Sequence, residues 1–577
     1  MISADLTERC IYSRITQQEQ SIHSFDYLLG VWKSASNLRY QLNQFEVIGV
    51  PVKHRLPLIE EIINLAVNYA GLVLNPEMEE LFSNPYGAGY IGHLLLNSAD
   101  IDRKLPKMFM DQFIERFLDE GLVEMLKGTI KSIMTVMRTK NVSDDYHSCF
   151  RAFTWLISKK ELAKLITELP EWDPAYAEPR SMEILSVLGP FLARTSIMPD
   201  SDVSLASKYF GANNMMMEVP MEDVDHYIGA RNRGEVKSTQ SSLRETSATV
   251  QKTLHSLILS IIKSDPAAKK AVLKYFSHCI SLNLGRGKLH VDRTAISTDA
   301  FMQNIYQVCL LLCDPIMDPS FSKIGLIDVH CFIRSSEPHY MEDTKINADK
   351  ELCQTLWSQF RLENPATPLN FVTDIFCITL AFAHYGFMSS LRSYGDLKKE
   401  VEGLRRHVMQ CRETQSTPAW QASEPRQRFA HEMQFKHYEA KLDSLIGQKL
   451  LTEAVVFDRQ MLQQTLRFYG LVMVWILKCA SGNTDKSVSY DLVSQGDIRG
   501  LKLFPLSEFP PMEFATLPEW IIEDICDFYL FIAKNKPNLF ENEPRNEFMA
   551  FSMVILSNSK HIKNPYLKSK IVEVPFN

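Results

Sequence analysis

The sequence lacks any long uninterrupted apolar run. A membrane-spanning helix needs about 18 or more consecutive apolar residues, and the two strongest runs fall short of that length. The run from Phe371 to Met388 is interrupted by Asp374 and His384, and the run from Tyr469 to Leu477 is brief. Both runs therefore predict buried core helices, and no membrane partner is expected.

The N-terminus also lacks the apolar core of a secretory signal. The first twenty residues include Asp5, Glu8 and Arg9 without an apolar stretch, so we expect no signal peptide. The 11 cysteines show no paired spacing, which is typical of free thiols in a reducing compartment. These two features predict a cytoplasmic and nuclear protein.

Strong net charge is absent as well. The chain carries a formal charge of -7 over 577 residues, with 45% hydrophobic and 23% charged residues. A balance this mild does not attract nucleic acid, so no nucleic-acid partner is predicted. The hydrophobic fraction is that of an ordinary soluble protein that can bury large cores.

Catalytic motifs are missing or incomplete. The turn Gly285-Arg286-Gly287-Lys288 places Leu282 and Leu289 where a phosphate-binding loop needs a glycine and a hydroxyl residue. We therefore interpret Lys288 as a solvated cation. The stretch His431-Glu432-Met433-Gln434 begins a zinc-protease pattern, but Phe435 stands where the second histidine is required. No GxSxG motif occurs.

Two cysteines and a neighbouring His-Cys pair raise the hypothesis of a metal site. Cys309 and Cys313 lie one helical turn apart, and His330 and Cys331 could complete a ligand set. The neighbouring residues are apolar, however, and a free cysteine in such surroundings behaves as a small hydrophobe. We predict buried thiols, with no catalytic, cofactor-binding or metal residues anywhere in the chain.

Helical periodicity, in contrast, dominates the chain, and strand alternation is almost absent. Amphipathic or fully apolar helical patterns recur between short turns, at Leu56 to Leu74, Met108 to Met137, Ile157 to Leu169, Leu254 to Leu282 and Ile521 to Ile532. Helix-turn-helix units of this kind bury a continuous core by stacking. The predicted fold class is all-α, an armadillo-like α-solenoid of stacked helical hairpins.

Three interruptions divide this pattern into segments. The predicted layout is an N-terminal helical part at 1–210, a polar and partly disordered insertion at 211–250, signature core repeats at 251–389, a projecting helical hairpin at 390–451, core helices at 452–500, a proline-rich connector at 501–519 and further helical repeats at 520–577.

Each of the three interruptions leaves a binding alternative open. Met215, Met216 and Met217 in the insertion could grip a partner or simply fill a gap, and we favour the gap-filling interpretation. The hairpin carries basic residues that we interpret as a solvated face, with docking of acidic partners as the alternative, namely Lys398, Lys399, Arg405, Arg406, Arg426 and Arg428. In the connector, Pro510 and Pro511 could form a polyproline ligand, but the phenylalanines nearby favour packing.

Several separate stretches match one family in order. In chain order they are LSVLGPFL at Leu185 to Leu192, LNLGRGK starting at Leu282, HVD, STDAFMQNIYQVCLLLCDPIMDP, FSKIGLIDVHCF, EDTKINAD, NFVTDIFCITLAFAHYGF at Asn370 to Phe387, LPEWIIEDICDFYLFI at Leu517 to Ile532, and NPYLKSKIVEV at Asn564 to Val574. Together they resemble the core region of the U-box ubiquitin conjugation factors, the chain-elongating ligases of the ubiquitin system.

The resemblance implies a solenoid scaffold that acts in polyubiquitylation and proteasomal degradation. In that family a U-box after the core holds the ubiquitin-conjugating enzyme, so positioning replaces a catalytic cysteine. The implied partners are the conjugating enzyme, ubiquitin or ubiquitylated substrates, the AAA segregase ATPase and ubiquitin-like shuttle factors.

No U-box pattern follows Val574, and we expect a chain truncated before that module. The predicted function is the core scaffold of a ubiquitin-protein ligase of the chain-elongating type, without the U-box that binds the conjugating enzyme. The alternative is a non-catalytic α-solenoid adaptor that binds ubiquitylated clients or the segregase.

Overall fold

A computed structural model describes eleven stretches of the chain, and every structural statement below concerns these residues. They are 4–17, 23–47, 55–82, 86–211, 231–334, 342–363, 369–422, 424–482, 507–541, 546–558 and 560–576.

Within these stretches the protein is built from helices. The predicted all-α class is confirmed, because the described residues form no strand and contain a single isolated antiparallel bridge between Lys345 and Pro518. The longer helices are Ala4–Ile15, Ser24–Val47, Leu56–Leu74, Tyr90–Asn97, Lys107–Phe117, Leu122–Thr139, His147–Ile157, Lys160–Glu168, Arg233–Ser264, Pro266–Leu282, Asp299–Cys313, Lys350–Glu363, Phe371–Phe382, Ser389–Gln415, Pro425–Val456, Arg459–Ser481, Trp520–Asn535, Asn546–Ser557 and Pro565–Phe576.

Shorter helices connect these elements. They are Glu79–Phe82, Ile101–Lys104, Pro179–Leu185, Gly189–Arg194, Ser204–Phe210, Cys331–Arg334, Pro418–Gln421 and Met512–Ala515. A turn of 3₁₀-helix covers Leu284–Gly287, and a π-helical turn covers Ala383–Met388 between two α-helices. Wider π-helical turns of this kind are rare in helical proteins.

The chain divides into two compact units. The first comprises Met1–Ala175, Ile184–Pro190 and Leu257–Val272, and the second comprises Tyr176–Glu183, Phe191–Ser256 and Leu273–Asn577. In the first unit, Phe109 packs edge to face against both Phe25 and Trp32. Aromatic side chains bury large apolar areas, so this cluster provides much of that unit's core.

The second unit is organised around the helix Arg459–Ser481. Its stretch from Phe468 to Ala480 is buried on all sides, which is expected of a helix without a polar face. Trp475 of this helix is fully buried and packs against Phe376, with ring centroids 5.2 Å apart. The prediction that Tyr469 to Leu477 lies in the core is confirmed.

Two helices have the length and composition of a membrane span, namely Leu56–Leu74 and the continuous helical stretch Phe371–Gln415. In the second, 78% of the apolar window is buried inside the structure, against 39% in the first. Core helices of non-membrane proteins pass the same test, and the buried Phe371–Met388 segment matches the prediction of a core helix.

The segment 211–250, predicted to be a polar and partly disordered insertion, is described by the structure at residue 211 and from residue 231 onward. Residues from Arg233 onward belong to a 32-residue helix that runs to Ser264. Its polar side chains are used in packing, since Gln240 donates to the Leu450 carbonyl and Arg244 to the Ala454 carbonyl. The Ala454 carbonyl is among the last four of the helix Pro425–Val456, which lack a partner within the helix, and composition alone does not reveal such a bond. Met215, Met216 and Met217 lie outside the described residues.

The connector is partly described and is more ordered than an extended linker. Residues 512–515 form a short helix, and the flanking backbone pairs with residues 344–347 through the bonds of Ile346 to Leu517 and of Asn347 to Ala515. Phe514 is buried, as the packing interpretation predicts, whereas Phe509 is exposed. Phe504 lies outside the described residues.

The helical hairpin predicted at 390–451 is present and is called the arm below. It consists of Ser389–Gln415 and Pro425–Val456, joined by the short helix Pro418–Gln421. Val401, Val408, Leu442 and Leu445 form its buried core. Leu397, Leu404, Phe435, Tyr438 and Ile446 pack around this core. Contacts at this helical spacing are those of a short antiparallel pair.

We expect Leu442→Ala to loosen the arm, because Leu442 is fully buried in this core. Removal of a buried leucine side chain costs about 2 to 4 kcal/mol. Hydrogen exchange followed by mass spectrometry should then show faster exchange in both arm helices and unchanged exchange in Arg459–Ser481. Met433→Ala, at an exposed position of the same helix, provides the control. Equal exchange in the two variants would contradict the packing described here.

Candidate functional site: a buried polar network

The glycine turn at 285–288 holds a buried arginine. Gly285, Arg286 and Gly287 lie in the 3₁₀ turn, and the Arg286 side chain is 0% exposed. Lys288 and Leu289 point outward instead. The prediction of a solvated Lys288 is confirmed, and the buried contacts of this turn are made by Arg286, which sequence reasoning did not single out.

Arg286 has a complete set of partners. Its guanidinium forms an ion pair with Asp299, and it also donates to the Ser297 carbonyl at 2.8 Å and to the Tyr385 carbonyl at 2.5 Å. A buried arginine is tolerated only when its charge and donors are matched in this way. The Arg286 side chain therefore connects its own turn with two other segments, the residues around Asp299 and the π-helical turn.

Gly287 permits this close approach. A Cβ atom at residue 287 would lie 3.0 Å from the Tyr385 ring and 3.1 Å from Nε2 of His384. Both distances are shorter than ordinary van der Waals contact. A side chain at this position would therefore push the turn away from the π-helical turn, which explains why glycine stands here.

Carboxylates of this chain occupy the start of the helix Asp299–Cys313. Glu183 accepts from the backbone N–H of Thr298 at 2.6 Å and from its hydroxyl at 2.8 Å. Asp200 accepts from the N–H groups of Asp299 at 2.5 Å and Ala300 at 3.1 Å. The Thr298 hydroxyl accepts from Phe301 N–H at 3.0 Å. These bonds use the donors that a helix start would otherwise offer to an anion.

The pKa values of these carboxylates shift in different directions. Burial would raise the pKa of Asp299, but its ion pairs with Arg286 and Arg293 hold that pKa below its ordinary value. Burial raises the pKa of Glu183 against the bonds from Thr298. Part of Asp200 is exposed, yet burial of its carboxylate and the negative charge of Asp299 raise its pKa to about 7.

A second buried pair ties the π-helical turn to the helix Trp520–Asn535. Nδ1 of His384 lies 2.8 Å from Oδ2 of Asp524, and the His384 ring stacks on Trp520 with centroids 4.4 Å apart. His384 and Asp524 are both buried. The stretches NFVTDIFCITLAFAHYGF and LPEWIIEDICDFYLFI thus meet at this pair. We refer to the Arg286 and His384 pairs with their partners as the polar network.

The candidate metal ligands do not form a metal site. Cys313 bonds to the Thr379 hydroxyl at 3.2 Å, and burial raises its thiol pKa to about 12. Burial also raises the pKa of Cys309 well above its ordinary value. No group of three or more His, Cys, Asp or Glu side chains with metal-binding geometry occurs in the described part of the chain. The prediction that Cys309 and Cys313 are buried thiols is confirmed.

The two histidines in the rejected motifs have other partners. His431 lies against Trp420, with ring centroids 4.6 Å apart. His330 is held between carboxylates, with Nε2 2.9 Å from Glu513 and Nδ1 3.5 Å from Asp328. Asp328 also forms an ion pair with Arg334. Hydrogen bonds to Asp328 and Glu513 raise the pKa of His330 to about 9.

We expect Arg286→Met to destabilise the second unit, because it leaves Asp299 buried without its main counter-charge. Loss of one partner of a buried pair costs about 3 to 5 kcal/mol, measurable by urea unfolding. Lys288→Met, two residues away on the surface, should change stability by less than about 0.5 kcal/mol. The double variant Arg286→Met with Asp299→Asn should recover part of the loss. If the double variant is no more stable than Arg286→Met alone, the uncompensated charge is not the cause.

Stability should also depend on pH through His330. Its pKa in the folded protein lies above the ordinary value of about 6.5, so its contribution is full below pH 6.5 and is lost as the pH rises through about 9. Between pH 7 and 9.5 the wild-type protein should therefore lose roughly 1 to 3 kcal/mol that His330→Gln does not lose. His290→Gln, at an exposed histidine, should follow the wild type. If the free energy of unfolding of all three proteins changes equally with pH across this range, His330 is not the cause.

Comparison with known proteins shows which family the chain resembles. The family model described as "Ubiquitin elongating factor core" matches residues 188–577. Among curated relatives, the chain is 25% identical over 553 residues to the ubiquitin conjugation factor E4 of Schizosaccharomyces pombe, covering 96% of this chain and 50% of that protein. It is 22% identical to the probable ubiquitin conjugation factor E4 of Arabidopsis thaliana, covering 100% and 57% of the two chains.

A further relative is the E4 ubiquitin-protein ligase UFD2 of Saccharomyces cerevisiae, 20% identical with coverage of 99% of this chain and 57% of the relative. The chain spans about half the length of these relatives. The family match confirms the resemblance seen in the sequence motifs and includes both buried pairs of the polar network, Arg286–Asp299 and His384–Asp524. The chain therefore belongs to the ubiquitin elongating factor core family.

Proposed function

We propose that this chain is the scaffold part of a ubiquitin chain-elongating ligase, and that it holds a ubiquitylated substrate beside the parts that transfer ubiquitin. The supporting observation is the family match over residues 188–577, which covers the motifs joined by the polar network. The names of the relatives describe conjugation factors and a ubiquitin-protein ligase. The chain covers about half of each relative, so the whole activity remains part of this proposal.

The chemistry of the buried cysteines supports positioning instead of thioester formation by this scaffold. A thiolate nucleophile needs a lowered pKa and a basic or helix-terminal setting. Burial instead raises the thiol pKa of Cys313 and Cys526 to about 12. Buried neutral thiols of this kind fill core space. The scaffold would then contribute to the rate by proximity, holding the acceptor ubiquitin near a charged conjugating enzyme.

The proposed partners follow from that role. A ubiquitin-conjugating enzyme would bind through a U-box, the module that the family resemblance places after the core. Ubiquitin or ubiquitylated substrates would bind the scaffold, and an AAA segregase ATPase and ubiquitin-like shuttle factors would deliver or remove them. We propose action in the cytoplasm and nucleus, in protein degradation by the proteasome.

An elongation assay tests this role. Residues 1–577 are mixed with activating enzyme, conjugating enzyme, ubiquitin and a mono-ubiquitylated substrate, and chain length is followed by gel electrophoresis. We expect no elongation by residues 1–577, and elongation by a chimera that also carries the C-terminal region of the Schizosaccharomyces pombe relative. That region alone should elongate at least about tenfold more slowly, because it lacks the proximity that the scaffold supplies.

Two results would contradict the proposal. Vigorous elongation by residues 1–577 would mean that this chain itself carries transfer activity. Binding of ubiquitylated substrate without any elongation by the chimera would favour the non-catalytic adaptor. A chimera with Lys288→Met, an exposed change outside the polar network, serves as the activity control.

A further inference from the structure

The second helix of the arm presents two different stripes of side chains. Its inner stripe, with Phe435, Tyr438, Leu442 and Leu445, packs on the first helix of the arm. Another set repeats at alternating spacings of three and four residues, which places its members on one helical face. This outer stripe consists of Arg426, Phe429, Met433, Lys436, Ala440, Asp443 and Gly447.

The proximal end of the outer stripe is already a packing surface. At Gly447 the backbone lies against the helix Ser204–Phe210, since a Cβ there would be 3.2 Å from the Ala206 carbonyl oxygen. Asp443 forms an ion pair with Arg231, whose side chain is almost fully buried. The face is thus suited to close contact with another helix where it leaves the body of the second unit.

The distal end of the same stripe is uncovered. Phe429 is 66% exposed and Met433 is 55% exposed. Scattered exposed apolar residues are ordinary, but these two continue a packing stripe in register. Arg426 and Lys436 lie on either side of them, are exposed, and form no ion pair within the described part of the chain.

The charges at the distal end of the arm indicate the kind of partner. The distal outer stripe carries two cations, Arg426 and Lys436, and no carboxylate, in a chain whose net charge is -7. The wider stretch from Glu402 to Glu432 has five arginines and four glutamates and no lysine or aspartate. This local excess of positive charge attracts acidic surfaces and repels basic ones. Glu432 lies at the edge of the outer stripe, four residues before Lys436.

We propose that the distal outer stripe docks an acidic amphipathic helix of a partner protein. The apolar face of that helix would cover Phe429 and Met433, and its carboxylates would pair with Arg426 and Lys436. Helices commonly bind in this way, through apolar anchors at helical spacing. The inference goes beyond the proposed elongation role, because it rests on the arm alone and holds whether or not the chain elongates ubiquitin.

Fluorescence anisotropy tests the docking. The probe is a fluorescein-labelled 18-residue peptide with leucine on one helical face and glutamate on the other, added to residues 1–577. We expect the glutamate peptide to bind at least about tenfold more tightly than the same peptide with lysine in place of glutamate. Phe429→Ser should weaken binding about tenfold through the lost apolar contact. Glu432→Gln should strengthen it by removing repulsion.

A charge-matched pair of variants isolates the surface. Arg426→Gln with Lys436→Gln should weaken binding about fivefold and reduce its salt dependence. Gln427→Glu with Gln434→Glu makes the same net charge change on the far side of the same helix, and it should stay within about twofold of the wild type. All of these positions are exposed, and unchanged circular dichroism and melting would confirm that each variant folds.

Several outcomes would overturn the proposal. Equal weakening by the two charge-matched variants would reduce the effect to general electrostatics. Equally tight binding of the lysine peptide, or of a DNA duplex of equal charge that does not depend on Phe429, would point to another class of ligand. Concentration-dependent dimerisation of the free protein that Phe429→Ser abolishes would assign the stripe to a second copy of this chain.

Discussion

The buried ion pair between Arg286 and Asp299 constrains the second unit more than any other contact described in it. An unpaired charge in such a position would cost several kcal/mol, so each group requires the other. Their remaining bonds extend to the Ser297 and Tyr385 carbonyls and to Ser390. Segments far apart in sequence are thereby held in one arrangement. The neighbouring carboxylates of Glu183 and Asp200 satisfy the helix start without an outside ligand, which makes the site structural.

The same arrangement explains how a scaffold in this family differs from an enzyme with its own nucleophile. The titratable groups at the centre are matched with one another, and the buried thiols are kept neutral by their apolar surroundings. Such a centre resists change in shape. The surfaces that remain available are those of exposed helices, and the arm is the clearest case because its second helix carries one buried stripe and one that is partly uncovered.

Local patterns predicted a large part of this structure. The all-α class, the core helix around Trp475, the arm with Val408 and Leu442 inside it, and the buried state of Cys309 and Cys313 all follow from helical spacing of apolar residues. The polar network could not be predicted in this way, because Arg286 meets Tyr385 across 99 residues and His384 meets Asp524 across 140. The sequence signal for Arg286 was an arginine between two glycines, and this pattern predicts only a local turn. The helical packing of residues 233–250 could not be predicted from composition, because Gln240 and Arg244 bond to backbone carbonyls of another helix.

The order in which the network's members are synthesised has a consequence for the nascent chain. Glu183 and Asp200 leave the ribosome well before Arg286, and Tyr385 and Ser390 follow much later. Until the π-helical turn has emerged, Nε of Arg286 has no carbonyl from residue 385 to bond. Because domains generally fold as units during synthesis, we expect the second unit to pack only after this turn has been made. A polypeptide interrupted before residue 383 would keep the Arg286–Asp299 pair but would leave Nε of Arg286 without its Tyr385 acceptor.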